Sequence, residues 1–366
     1  MPRVTATATG ENFLPSHLKT IIKAAAVVAG VAMLAALVFV LILVFPSTPK
    51  SSAGLRFAGF VPLPKPAGAG ALSVLDYLTI DGRNMFVTSE SSGGVYRVNL
   101  AGDGAPPAHA VDVLTGAPSA HGVAIDPVSH LAFASHSDSD TVDVFDPNTL
   151  KIVKRIPVDG DVDGIFYQPD AKLIYAVHGD PQLATLIDPA NRAVVGKVHL
   201  GGKPEFAAYD PRTRLIFQAI ESRGAMAEVD LLKRAVVGSW PLRSCESPTS
   251  VVLDELHRRL FVACAKNAQL VVVDPDSHRV IAALPVGGGP DSVAYDARLG
   301  RLYATGKSGV LTVIQQDSAD AYRVVDNVSL HYGAHTLAFD PATGRLFVAY
   351  ASLFVAPRLA VFQTAR

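Results

Sequence analysis

Six polar residues recur along this chain at intervals of 42 or 44: His121, Asp163, Glu205, Thr249, Asp291 and His335. The residues that follow each of them are mostly apolar, so polarity belongs to the position. Imidazoles and carboxylates ligate zinc, iron or manganese, exchange protons and pair with charged ligands. A second set in the same rhythm, Ser89, His136, His178, Ile220, Cys264, Gly306 and Tyr350, adds two histidines. His121, His136, Asp163 and His178 could together hold a metal ion or an anionic ligand. Against catalysis, the sequence has no tight zinc-type ligand spacing, no Gly-x-Ser-x-Gly elbow and no Cys-x-x-Cys-His haem motif.

A repeat must position these residues. "VAIDPVSHLAFA" at Val123 returns as "IFYQPDAKLIYA", "AAYDPRTRLIFQ", "VVLDELHRRLFV", "VAYDARLGRLYA" and "LAFDPATGRLFV", each an apolar strand, a turn and a second apolar strand. The turn reference falls at Asp126, Gln168, Asp210, Asp254, Asp296 and Asp340, and a degenerate first copy, "LTIDGRNMFV", puts Thr79 in register. A third strand follows each hairpin, as in "TVDVFD", and then a fourth, as in "IVKRIPV", "VVGSWPL" and "VIAALPV". Seven units of just over 40 residues with four short strands each predict an all-β, seven-bladed β-propeller. The recurring polar positions would then gather at one mouth of its channel. Pro157, Pro241 and Pro285 sit where the outermost strand ends, a place where proline costs no ladder bond and blunts an edge. The seventh unit lacks a fourth strand. "FAGFVPL", residues 57 to 63, fits that pattern, so an N-terminal strand is expected to close the ring.

"IDPVSHLAFASHSDSDTVDVFDPNTLKIVKRIPV" and "LPVGGGPDSVAYDARLGRLYATG" resemble the YVTN β-propeller repeat over nearly all of residues 55 to 364. The likeness departs at "FASHS" and "YAVHG", where Tyr-Val-Thr-Asn would stand. It implies an architecture and an exported or surface-bound protein, in some members with binding roles towards macromolecules. It specifies no reaction and no cofactor.

Ahead of the repeats, residues 24 to 45 form an apolar, uncharged tract of 22 residues, enough to span a bilayer core as a helix. Arg3, Lys19 and Lys23 precede it, so residues 1 to 23 are expected in the cytoplasm. The rest lies across the membrane, which the family likeness makes a bacterial periplasm. The rival reading is a signal peptide cleaved near "SSA" at residues 51 to 53, but that lies far beyond the tract, which is itself longer than a signal core. Residues 46 to 54 would be a tether and 55 to 366 the propeller.

A formal charge of −1 and a single tryptophan, Trp240, argue against nucleic-acid binding, which needs basic grooves and stacking aromatics. Cys245 and Cys264 are the only cysteines, and an oxidising compartment would permit a disulfide between them. Asp126, Asp146, Asp188, Asp210, Asp274 and Asp340 precede proline or stand at turns, where aspartate is ordinary turn chemistry. The expected function is therefore a membrane-anchored, non-enzymatic binding or scaffold module. Its site would be the channel mouth, with candidates His121, His136, Asp163, His178, Glu205, Asp291 and His335, and its partner a protein or small molecule. The alternative is a metal-dependent, lactonase-like hydrolase with the ion at the same mouth. Against both stands the bland reading, that polar residues there only solvate strand ends.

Overall fold

Each repeat is begun by its turn. Asp126 Oδ1 accepts the Val128 N–H at 3.1 Å and Oδ2 accepts the Ser129 N–H at 3.1 Å. Asp210 accepts from Arg212 N–H at 3.0 Å and Asp340 from Ala342 N–H at 3.0 Å in the same way. The residue four places on is left-handed in all six regular copies: His130, Lys172, Arg214, Arg258, Gly300 and Gly344. The turn bends the chain back in register, and the aspartates are structural. Asp146, Asp188 and Asp274 do the same between third and fourth strands, each accepting the N–H two residues on.

The computed structural model describes residues 16–44, 48–52, 54–65, 72–92, 94–100, 111–116, 119–350, 352–353 and 357–364. Among them are seven four-stranded antiparallel sheets and one two-residue ribbon, Leu72–Ser73 with Ser352–Leu353. The first strands of successive sheets are neighbours all the way round, Leu337–Asp340 of blade 7 returning to Leu75–Asp81 of blade 1. The protein is a seven-bladed propeller.

The closing blade is built from both ends of the chain. Leu55–Pro62 pairs antiparallel with Arg358–Thr364, from Leu55↔Thr364 to Pro62↔Arg358, across a bulge between Phe57 and Gly59. Pro62, Pro157, Pro241 and Pro285 are each the last residue of an outermost strand. One ring per blade fills the core at the same second-strand register: Phe86, Phe133, Tyr175, Phe217, Phe261, Tyr303 and Phe347, none more than 2% exposed. Burying such a ring stabilises by about 1.5–3 kcal/mol, and the clusters they join span adjacent blades, as where Phe86 packs with Ala132 and Phe145.

The chain divides into two units, Met1–Phe45 and Pro46–Arg366. The apolar tract of the first lies in a helix, Ser16–Val44, which starts eight residues before the expected span. Among the described residues no helix is long and apolar enough to cross a membrane; side chains of this helix are described only over residues 24–40, all of them exposed. The expected tether is tied to the propeller where it is described. Phe57 N–H donates to Ser51 Oγ at 2.9 Å, and Arg301 Nη1 donates to the Gly54 carbonyl at 3.2 Å.

Candidate functional site

Six of the seven rim positions are the second residues of first strands, and the seventh, His335, stands two residues ahead of the first strand of blade 7, Leu337–Asp340. Hydroxyls from neighbouring blades clamp their backbones. Ser135 Oγ donates to the Asp163 carbonyl at 2.5 Å, Thr305 Oγ1 to the His335 carbonyl at 2.8 Å, Thr336 Oγ1 to the Asp76 carbonyl at 2.7 Å, and Thr88 Oγ1 to the His121 carbonyl. A Cβ on Gly122, beside His121, would come within 2.9 Å of Ile165 Cγ2, so the inner strands of blades 2 and 3 approach closely there. The rim is fixed by backbone before any side chain acts.

Asp76 completes the ring, and the sequence register missed it. In the regular hairpins the last pair of residues is five apart, as Asp210↔Leu215, whereas in blade 1 it is Asp81↔Asn84. That turn is two residues shorter. Counting five residues back from Thr79 gives Val74, whereas the first strand puts Asp76 at the rim.

His121 lies at the centre of the charged side. Its Nδ1 faces Asp76 Oδ2 at 2.7 Å and Asp163 Oδ1 at 3.5 Å, and its Nε2 faces Ser137 Oγ at 2.9 Å. Burial alone would lower the imidazole, but the hydrogen bond to Asp76 and the charges of Asp163, Asp76 and Glu90 raise it to about 9. The carboxylates are pushed the other way. Burial, then the Asp76 charge, raises Asp163 to about 7 against the pull of His121. Burial, then Asp163, raises Glu205 to about 8 against Lys203, whose Nζ lies 3.3 Å away. Asp76 is also raised, by burial outweighing its bond to His121. Each of these carboxylates also feels Asp291, so four acids from blades 1, 3, 4 and 6 share one low-dielectric bowl. His335 donates from Nδ1 to the Gly333 carbonyl at 2.7 Å, leaving Nε2 towards Asp291 at 3.9 Å.

Two aromatic residues floor the bowl. Tyr77 of blade 1 and Phe206 of blade 4 meet edge to face across the channel, with ring centroids 4.3 Å apart. The Tyr77 phenol is held well above its ordinary range by burial and then by Asp163, Asp76, Glu205 and Asp291, which places it among all four acids.

The structure thus brings together His121, Asp163, Glu205, Asp291 and His335, and adds Asp76, Tyr77, Phe206 and Ser137. It does not bring in the other two histidines. His136 is fully buried on the second strand of its blade, paired with Ala120 and 3.8 Å from Asp143, which Arg155 also meets. His178 is equally buried, with Nδ1 on the Gly160 carbonyl at 3.0 Å and Nε2 on Thr185 Oγ1 at 2.8 Å. His178 stitches strand to loop and His136 lies against the third strand of its own blade, so the expected grouping of His121, His136, Asp163 and His178 does not form. Thr249 turns away as well, donating to the Pro290 carbonyl at 2.9 Å. Cys245 and Cys264 are joined by a disulfide in blade 5.

No protein-family model matches the chain, and no curated protein matches it. Among solved structures, hydrazine synthase of Kuenenia stuttgartiensis is similar over 83% of this chain and 99% of its own, with a TM-score of 0.70 and 17% identity. That likeness rests on the fold alone.

Proposed function

We propose that the protein is a non-enzymatic binding module that takes a positively charged ligand, or a cationic group of a partner, at its channel mouth. One observation carries this. Four carboxylates converge over an aromatic floor, two of them raised to about 7 and 8 because burial and mutual repulsion oppose their ionisation. An arriving cation removes that opposition. The test is calorimetric titration of spermidine, and separately of divalent metal ions, into the full chain in detergent and into its Asp291→Asn variant. At least one cation should bind, and more weakly to the variant. If none binds, or if wild type and variant bind alike, the reading fails.

A metal-dependent, lactonase-like hydrolase at the same mouth is the second reading, favoured by the closeness of Asp76, His121 and Asp163. Lactones left intact by metal-loaded protein would set it aside. We further propose that the repeat is of the YVTN type, on the strength of its Asp-Pro hairpins and the Pro-Val-Gly-Gly link at residues 285 to 288, and that the N-terminal helix anchors the propeller outside the cytoplasmic membrane. Support for the anchor is the helical run of residues 24–40, exposed and without a polar side chain, which follows Arg3, Lys19 and Lys23 in the sequence. Release of the chain from membranes by alkaline carbonate would refute that part.

A further inference from the structure

We infer that the cation for which the mouth is built is a divalent metal ion, held by Asp76, His121 and Asp163. This rests on the reading of the mouth as a cation site and narrows it. One ligand atom from each residue lies within 4.8 Å of the others, and the three residues come from three successive blades whose backbones are clamped. Two ligands each about 2.1 Å from an ion stand about 3.0 Å apart at a right angle and about 3.4 Å at the tetrahedral angle. The contacts from His121 Nδ1, 2.7 Å to Asp76 and 3.5 Å to Asp163, bracket those values.

Two further observations point to a ligand. Asp163 Oδ1 is shielded from solvent and accepts no hydrogen bond, although it faces His121 Nδ1. A buried carboxylate oxygen without a donor is uncommon and needs a reason. The other is the way the imidazole is held from behind. Ser137 Oγ donates to Ser119 Oγ at 3.0 Å, so towards His121 it is an acceptor, and Nε2 carries the hydrogen it receives at 2.9 Å. That is the outer support of a metal-ligating histidine, with the far nitrogen anchored and Nδ1 aimed at the two carboxylates.

Two oxygens and one imidazole nitrogen, without a thiolate, suit Mn²⁺, Fe²⁺ or Zn²⁺ over soft ions such as Cu⁺. Three protein ligands leave coordination positions open towards the bowl, where a ligand atom or solvent would complete the shell. Ser137 is a positioning residue here, acting only through His121.

The experiment uses the full chain in detergent, stripped with chelator and equilibrated with Mn²⁺ or Zn²⁺ at equal concentration, with bound metal counted by plasma mass spectrometry. About one ion per chain is expected in the wild type. Asp76→Asn and His121→Gln should each bind at least tenfold more weakly, and Ser137→Ala roughly tenfold more weakly, the scale of outer-shell losses. Because a rim variant could unfold, a second readout uses the wild type alone: pulsed electron paramagnetic resonance of bound Mn²⁺ should show modulation from one imidazole nitrogen. Metal binding unchanged in Asp76→Asn and His121→Gln, or Mn²⁺ without nitrogen coupling, overturns the inference. If spermidine binds in an Asp291-dependent way while no metal does, the inference falls and the broader cation reading stands. If neither binds, both fall.

Discussion

Replacing Glu205 with glutamine should stabilise the protein at alkaline pH and leave it unchanged in acid. Glu205 is 13% exposed at the rim, faced by Asp163, Asp291, Glu221 and Lys203, and burial followed by Asp163 raises it from 4.5 to about 8. For an acid so raised, the native state holds a proton that the unfolded state has released. Between about pH 4.5 and 8 the folded protein therefore binds more protons than the unfolded one, and stability falls as pH rises through that window. About 3.5 pH units at about 1.4 kcal/mol each set an upper bound of about 5 kcal/mol lost by pH 9. Glutamine cannot ionise and escapes the loss. It gives up the ion pair with Lys203, but that lysine is half exposed and keeps Glu221 at 3.2 Å, so the forfeit is below about 1 kcal/mol. The net gain at pH 9 is about 2–4 kcal/mol, shrinking to nothing at pH 4. Guanidinium unfolding of chelator-treated protein, followed by the fluorescence of the single, buried Trp240, reads this directly. A variant no more stable than wild type at pH 9, or a gain that persists undiminished at pH 4, would refute the electrostatic account of the bowl.

Two further outcomes test the frame that holds the bowl. Phe60→Ala, in the closing strand, removes edge-to-face contacts to Phe57 and Tyr350 and the Arg358 guanidinium 4.1 Å over its ring, and should cost about 2–4 kcal/mol, seen as a lower guanidinium midpoint with the far-ultraviolet spectrum intact. Cys245→Ser should cost about 3 kcal/mol, the loop-closure value for a bridge spanning 19 residues; the same loss should follow from reducing the wild type, and an unchanged melting temperature in both would show that the crosslink constrains nothing.

Most of the ring was legible because a propeller writes its period into its turns. The 42- and 44-residue spacing located six of the seven rim positions, the proline-ended outer strands and the strand borrowed from residues 57 to 63. Asp76 escaped because a two-residue deletion inside one hairpin makes the two strands of blade 1 count differently, and only strand pairing resolves which count applies. Tyr77 and Phe206 escaped for another reason. They touch across the channel between blades 1 and 4, and no local pattern links residues so far apart in the chain. His136 and His178 were drawn in by their residue type, since a histidine at a strand end looks like a rim residue until its partners are known. The His178 ring nitrogens cap the Gly160 carbonyl and pair with Thr185, and His136 is buried 3.8 Å from Asp143 of its own blade.

Whether the mouth is more than solvated strand ends turns on what solvation requires. Thr249 shows how little is needed, since one hydroxyl satisfies the Pro290 carbonyl at no electrostatic cost. Serines and threonines at every rim position would have served equally. Instead four blades contribute carboxylates to one low-dielectric space, three of them raised by burial and mutual repulsion. The imidazole set between two of these acids offsets part of that repulsion while leaving Asp163 Oδ1 without a hydrogen-bond donor. Under the proposed reading, a cation at the channel rim would relieve this repulsion, on a scaffold whose other aspartates satisfy turns at no such cost.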